Sequence, residues 1–334
     1  ILQVAVGSHA VSTSSPGASM TCLRRGFTFG AVSLCVFLLC LLRDRPVRFP
    51  RVKREVLAPG LAEVPALVAV DRRPGHGEAE RVDAAVLGAE VAKYMEDAEA
   101  GLQTARRAAE LLLAAASRRN ATLGVIQVGA CDGAWADTND PVQPLLADTR
   151  VRALLLEPAP PLWEELRLRV SALPSAEGRL LAVNAALCPA AAAPTVPFYT
   201  VSAQYAIDNP DAPHWAKREI GSMLRSHLLK HKIPRRYIEQ IDVPCQSPAT
   251  LFEVAHAPIL KPSDVDVLLV DAEGLDAEIV SAFLEVADLR PALVIFEHQH
   301  MKLPVREGLS EKLQKNGYRE WRDVRNTVAV LKQV

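Results

Sequence analysis

The run Val125-Ile126-Gln127-Val128-Gly129-Ala130-Cys131-Asp132-Gly133 decides the architecture. An apolar stretch leads straight into two glycines around a short polar turn, the pattern of a buried strand that ends in a loop made for close approach. In an open α/β sheet, a loop at the carboxyl end of the first strand is where cofactors bind. The spacing is G-x-x-x-G rather than the G-x-G-x-x-G that cradles a pyrophosphate, which argues against a dinucleotide. Taken alone, such a turn serves structure as readily as function.

Outward from this loop, short apolar runs alternate with helical stretches. The runs are residues 124–128, 153–156, 180–186, 267–270 and 292–296. Strands this uniformly apolar are buried on both faces, and their alternation with helices predicts a parallel sheet covered on two sides. Residues 318–321 and 327–331, joined by the turn-forming stretch 323–326, predict a closing antiparallel hairpin. The predicted class is therefore α/β: a Rossmann-like, mainly parallel sheet with a terminal antiparallel hairpin, the layout of S-adenosylmethionine-dependent methyltransferases. Upstream, Leu87, Val91, Tyr94, Ala98, Leu102, Ala105, Ala109 and Leu112 recur at threes and fours. That spacing predicts one long amphipathic helix over 81–120, ahead of a catalytic domain at 121–334. The low-complexity stretch 188–197 reads as a loop.

Composition excludes several classes. Of 334 residues 49% are apolar and 23% charged, too apolar for disorder throughout. Lys plus Arg number 38 against 39 Asp plus Glu, a net charge of -1, so no protein-wide field invites nucleic acid. Aromatics at 5% supply no base-stacking platform either. Six cysteines are too few for a disulfide-built scaffold, although Cys188 and Cys245 could pair in an oxidising compartment.

Met20 is read as the start. Residues 26–42 form an uncharged run behind Arg24-Arg25, 17 residues long and followed directly by Arg43-Asp44-Arg45. The preferred reading is a transmembrane signal anchor after the tail 1–25, with a cleaved signal or a transit peptide as alternatives. The Pro-, Arg- and Gly-rich stretch 43–80 reads as a linker. The expected protein is thus single-pass and membrane-bound, in the endomembrane system. Its topology stays open: six basic residues follow the run and two precede it, which favours a cytosolic body, while the sequon Asn120-Ala121-Thr122 has meaning only in a lumen.

The second strand ends Leu154-Leu155-Leu156-Glu157-Pro158, with the acid 28 residues beyond Gly129. Such an acid accepts hydrogen bonds from both ribose hydroxyls of a nucleoside cofactor. The alternative is an acid that stabilises the helix start at Pro160-Pro161. The fourth run, which ends at Val270, delivers Asp271, Glu273, Gly274 and Asp276 to the same edge. Carboxylates gathered there are costly unless they bind something or cap the next helix.

In their order along the chain, VIQVGACDG, LLLEPAP, VNAAL, LLKHKIP, DVDVLLVDAEGLDAEIV and ALVIFEHQHM resemble the FkbM family of S-adenosylmethionine-dependent methyltransferases, from about residue 124 to 331. The resemblance implies that the glycine loop, with Gln127, Gly129, Ala130, Asp132 and Gly133, holds the methionine part of the cofactor. It implies that Glu157 and Pro158 border the ribose, that Asn184 and Ala185 border the adenine, and that Asp271 also touches the cofactor. Cys131, Ala272 and Leu275 stand where the family commonly has Asn, Thr and Tyr.

Glu297, His298 and His300 close the 292–296 run at the edge that carries Asp271. Imidazoles at i and i+2 on a strand would point the same way, a geometry that permits a metal. Methyl transfer needs positioning and sometimes a base rather than a metal, so no metal is expected. Asp271, Glu273 and His298 are the expected groups that hold or deprotonate the acceptor. Residues 214–236 carry seven Lys or Arg and one acid, Glu219, and are read either as a solvated helix face or as a lid whose His227, His231 and Lys232 touch the substrate. The expected function is methyl transfer from S-adenosylmethionine, to a hydroxyl oxygen of a small molecule or carbohydrate. Two rivals are a nicotinamide-dependent oxidoreductase and a membrane-tethered binding protein without catalysis.

Overall fold

Strand β1, Leu123–Val128, is buried along its whole length, as an apolar run in the middle of a sheet must be. A computed structural model describes residues 81–96, 104–134, 140–190, 193–253 and 259–332 of the chain, all within the compact unit 68–334. The expected anchor at 26–42 and the linker lie outside the described residues. Among those described, no helix is long and apolar enough to cross a membrane.

The fold is mixed α/β with a mostly parallel central sheet. Its strands are β1, β2 (Val151–Leu156), β3 (Leu180–Val183), β7 (Val265–Val270), β8 (Leu293–Glu297), β9 (Tyr318–Arg322) and β10 (Asn326–Leu331), in the order β3-β2-β1-β7-β8-β10-β9. The first five neighbours pair in parallel, whereas β10 runs antiparallel to both β8 and β9. The strand order reverses direction at β1, so the loops after β1, β2 and β7 open onto one crevice.

Alternate residues of each strand serve opposite layers. Val125, Leu155, Leu269 and Ile295 pack with Leu87, Val91 and Leu112 on one face. Ile126, Leu154, Val270 and Phe296 pack with Ile279, Phe283, Leu309 and Leu313 on the other. Each fully buried side chain of this size contributes about 1.5–3 kcal/mol of transfer free energy. The first layer comes from α1 (Ala84–Glu96) and α2 (Thr104–Arg118), the second from α7 (Asp276–Phe283) and α8 (Leu303–Lys315). The single helix expected over 81–120 is therefore corrected to two. Both Arg118 and Arg119 reach the carboxylate of Glu90; in one straight helix, residues 90 and 118 would stand about 42 Å apart.

Two further expectations are revised. The 180–186 run is two strands, because β3 stops at Val183 and Ala186–Leu187 (β4) joins a second sheet with β6 (Ile238–Gln246) and β5 (Thr195–Val201), in the order β4-β6-β5. The bend falls at Asn184, whose side-chain amide donates to the carbonyls of Glu157 (2.9 Å) and Pro158 (3.1 Å). Thr195 to Pro197, expected as loop, begins β5, and proline is tolerated there because β5 lies at the edge of its sheet. Cys188 and Cys245 form a disulfide beside the β4–β6 pairing.

Asp266, fully buried on β7, accepts a hydrogen bond from the Gly124 N–H (2.8 Å) and lies 3.4 Å from the Arg81 guanidinium. Burial outweighs these partners and pushes its carboxyl up to about 6 from 3.8. Between those values the folded state binds the extra proton, so this group's contribution to stability is lost as pH rises through 6. Asp266→Asn removes the titration while an amide oxygen still meets Gly124. Urea unfolding should show the variant gaining about 1–2 kcal/mol on wild type between pH 5 and pH 8. A gap that is flat or reversed with pH would refute the buried titration.

Candidate functional site

Backbone crowding, not ligand approach alone, dictates the glycine at the end of β1. Gly129 has φ +82°, and a Cβ there would fall 2.0 Å from the Asp271 carbonyl oxygen. The Asp271 N–H donates in turn to Val128 (3.0 Å), so the ends of β1 and β7 are drawn together. Cys131 and Glu273, one in each of the two loops that follow, also sit at positive φ (+53° and +51°). For non-glycine residues that costs of order 1–3 kcal/mol each, and such strain gathers at sites that do something.

Between these loops opens a cavity of about 780 Å³, within the range that holds a cofactor and a small partner. Gln127, Gly129, Ala130 and Asp132 line it, as do Glu157, Pro158, Ala185, Asp271, Glu273 and His231. Of the other residues singled out, Gly133, Asn184, His227, Lys232 and His298 are not among its lining. Asn184 instead shapes the wall by fixing the loop after β2. Lys232 is exposed, in the left-handed turn that ends the short helix α6 (Arg225–Lys230).

Glu157 sits at the floor, 5% exposed. The Cys131 N–H donates to its Oε2 (3.0 Å) and the Ala159 N–H to its Oε1 (2.8 Å). Burial raises its carboxyl to about 7 against these two hydrogen bonds, with the neighbouring Asp132 adding to the rise. Asp132 accepts from the Ala134 N–H (2.8 Å) and faces Arg218 at 3.8 Å; Arg218 also pairs with Glu165 at 2.8 Å.

The opposite side is acidic. Asp271 opens onto the cavity yet is ringed by protein, and this enclosure, with Glu273, Glu297, Asp276 and Asp140 around it, holds its carboxyl well above the usual range. Burial, then Glu273 and Asp276, push Glu297 up to about 7, and burial, then Glu273, pushes Asp276 up to about 6. Asp140, raised by burial, accepts from the Gln127 amide at 2.8 Å. Asp276 accepts from the Ala272 and Gly274 N–H groups (both 3.1 Å), which knits the 271–276 loop onto the start of α7.

The histidines divide differently from expectation. Strand β8 stops at Glu297, so alternation no longer governs residues 298–300 and the i, i+2 argument does not apply. His298 turns inward: its Nδ1 is 3.0 Å from the Thr327 hydroxyl, it is 7% exposed, and burial lowers its pKa. His300 lines the cavity in its place. The rings of His227, His231 and His300 pack with centroids 4.6–5.4 Å apart, and His227 Nε2 lies 2.6 Å from Glu273 Oε2. Burial, then charged neighbours including Lys230, hold His231 and His300 below the ordinary imidazole range. Arg218 is a site residue that the sequence did not single out, and Glu297 and His300, noted there only beside a possible metal, both line the cavity. The H-x-x-x-H spacing of His227 and His231 was the available signal for that pair.

No protein-family model matches the chain, and no curated protein matches it. A solved structure that does is the precorrin-6y C5,15-methyltransferase from Geobacter metallireducens GS-15, 12% identical over 64% of this chain and 81% of that one, with a TM-score of 0.30. A likeness of that size carries no argument about function.

Proposed function

We propose that this chain is an S-adenosylmethionine-dependent O-methyltransferase of the FkbM type, acting on a hydroxyl of a small molecule or carbohydrate. The observation that carries the reading is Glu157: a buried carboxylate at the carboxyl end of β2, facing a large cavity beside the strained loop after β1. That is where a nucleoside cofactor finds a ribose acceptor in an open sheet. The acidic side supports the same choice. Asp140, Asp271, Glu273 and Glu297 crowd together at a cost that a cationic sulfonium and ammonium would relieve, whereas a dinucleotide pyrophosphate would add repulsion.

In this reading Gln127, Gly129, Ala130 and Asp132 border the methionine part and Ala185 borders the adenine. The acceptor oxygen attacks the methyl carbon in line with the departing sulfur. A C–O bond forms, the C–S bond breaks, and the hydroxyl proton passes to Asp271. Most of the rate comes from alignment and from the charge already on the cofactor. Asp271 suits the proton because burial and the acidic neighbours Glu273 and Glu297 hold its carboxyl above the usual range, which makes it a better proton acceptor than an ordinary carboxylate. The Cys188–Cys245 disulfide supports an oxidising, lumenal setting behind the 26–42 anchor.

The test is incubation of the full chain with methyl-labelled S-adenosylmethionine and a panel of hydroxyl acceptors, sugars included. The expected outcome is labelled ether product with equimolar S-adenosylhomocysteine. Failure to consume cofactor with any acceptor, while it binds, would favour the tethered binding protein.

A further inference from the structure

We infer that His227, His231 and Glu273 form a binding site for one divalent transition-metal ion of the zinc class, with an open coordination position towards the cavity. One ligand atom from each residue lies within 4.8 Å of the others. His227 and His231 share a helix face, since the His231 N–H donates to the His227 carbonyl (3.1 Å) and closes the helical turn. Two nitrogens and one carboxylate oxygen form a catalytic-type zinc set, which leaves the fourth position to water or substrate.

Nε2 of His227 and Nε2 of His231 are both buried and have no hydrogen-bond partner among the described residues. The 2.6 Å approach of His227 Nε2 to Glu273 Oε2 is an ion-pair distance without hydrogen-bond alignment. Buried nitrogens left this way are unfavourable unless something binds them. In a tetrahedral ion the donor atoms stand about 3.3 Å apart, so this pair would open slightly and His231 would close in.

The loop that presents Glu273 is braced from three directions. The Ser222 hydroxyl donates to the Glu273 carbonyl (2.9 Å), Asp276 holds the flanking N–H groups, and Gly274 leaves just enough room for His227, whose Nδ1 would meet a Cβ there at 3.3 Å. Such outer support is what keeps a ligand aimed at a metal. His231 and Glu273 both line the cavity, so the open position faces whatever occupies it. The charge of Lys230, 3.1 Å from His300 Nδ1, is offset by Glu273, Asp271 and Glu297.

Metal binding is tested separately from methyl transfer, so the two readings can fail independently. The full chain, dialysed against EDTA and then freed of it, is titrated calorimetrically with zinc chloride, and its cobalt form is followed by visible absorption. One ion per chain and the intense bands of four-coordinate cobalt are expected, with no competition from excess magnesium. His231→Ala and Glu273→Gln, each with wild-type melting, should weaken zinc by at least about 100-fold, more than the loss of an outer-shell partner. His214→Ala, at an exposed histidine paired with Glu219, should leave binding unchanged. If His227→Ala fails to fold, the other two variants still decide. Absence of zinc binding, or zinc affinity unaltered in both His231→Ala and Glu273→Gln, would overturn the site.

Discussion

Asp271→Asn lowers methyl-transfer turnover by about 10²–10⁴-fold, the range for losing a positioned proton acceptor. Asn keeps the shape, and the backbone N–H of residue 271 still donates to Val128, so the draw between β1 and β7 survives. The negative charge and the capacity to take the acceptor proton do not. Steady-state release of S-adenosylhomocysteine gives kcat, and the melting curve checks the fold. His298→Ala is the contrast. Its ring is bonded to Thr327 and faces away from the cavity, so kcat should stay near wild type while a buried hydroxyl loses its partner at a cost of about 1–3 kcal/mol in stability. Wild-type kcat in Asp271→Asn would remove that residue from the chemistry and leave Glu297 and His300, which also line the cavity, as candidate bases.

Glu157→Ala weakens S-adenosylmethionine by about 2–3 kcal/mol, roughly 30- to 150-fold, through the loss of charged hydrogen bonds to the ribose. The change also orphans the N–H groups of Cys131 and Ala159, which loosens the loop that carries Cys131. A pH series separates the two causes. In the free protein the Glu157 carboxyl is protonated below about 7, and the ribose hydroxyls donate to its ionised form. Wild-type affinity should therefore rise with pH through 7 and then level. Glu157→Ala should lose this component of the pH dependence, while a loosened loop alone would weaken binding equally at all pH values.

The strands of the central sheet and their two faces were legible because an apolar run buried on both sides has few other fates, and the terminal hairpin because its turn residues interrupt two such runs. The second sheet was not, because β5 and β6 are mostly half-buried or exposed and carry no such run. Gly129, Glu157 and Asp271 were legible for the same reason: a polar or flexible residue directly after a buried strand lies at the carboxyl edge. Periodicity failed at the N-terminal helices because it reports a buried stripe, not whether the chain turns back. Tyr94 fitted the stripe and is 47% exposed, whereas Met95 is buried. His298 and His300 could not be told apart from sequence, since alternation holds only while a strand lasts and β8 ends at Glu297. Arg218 reaches Asp132 from 86 residues away, on a segment whose basic character gave no hint of which residue turns inward.

Calorimetric titration of S-adenosylmethionine into the full chain, run beside NADH at pH 8, tests the central claim most directly. One S-adenosylmethionine per chain, with affinity that falls when the pH is brought to 6 and no heat from NADH, is the predicted result. Binding of NADH in place of S-adenosylmethionine, or no binding of either, would contradict the assignment of the cavity lined by Glu157 and Asp271.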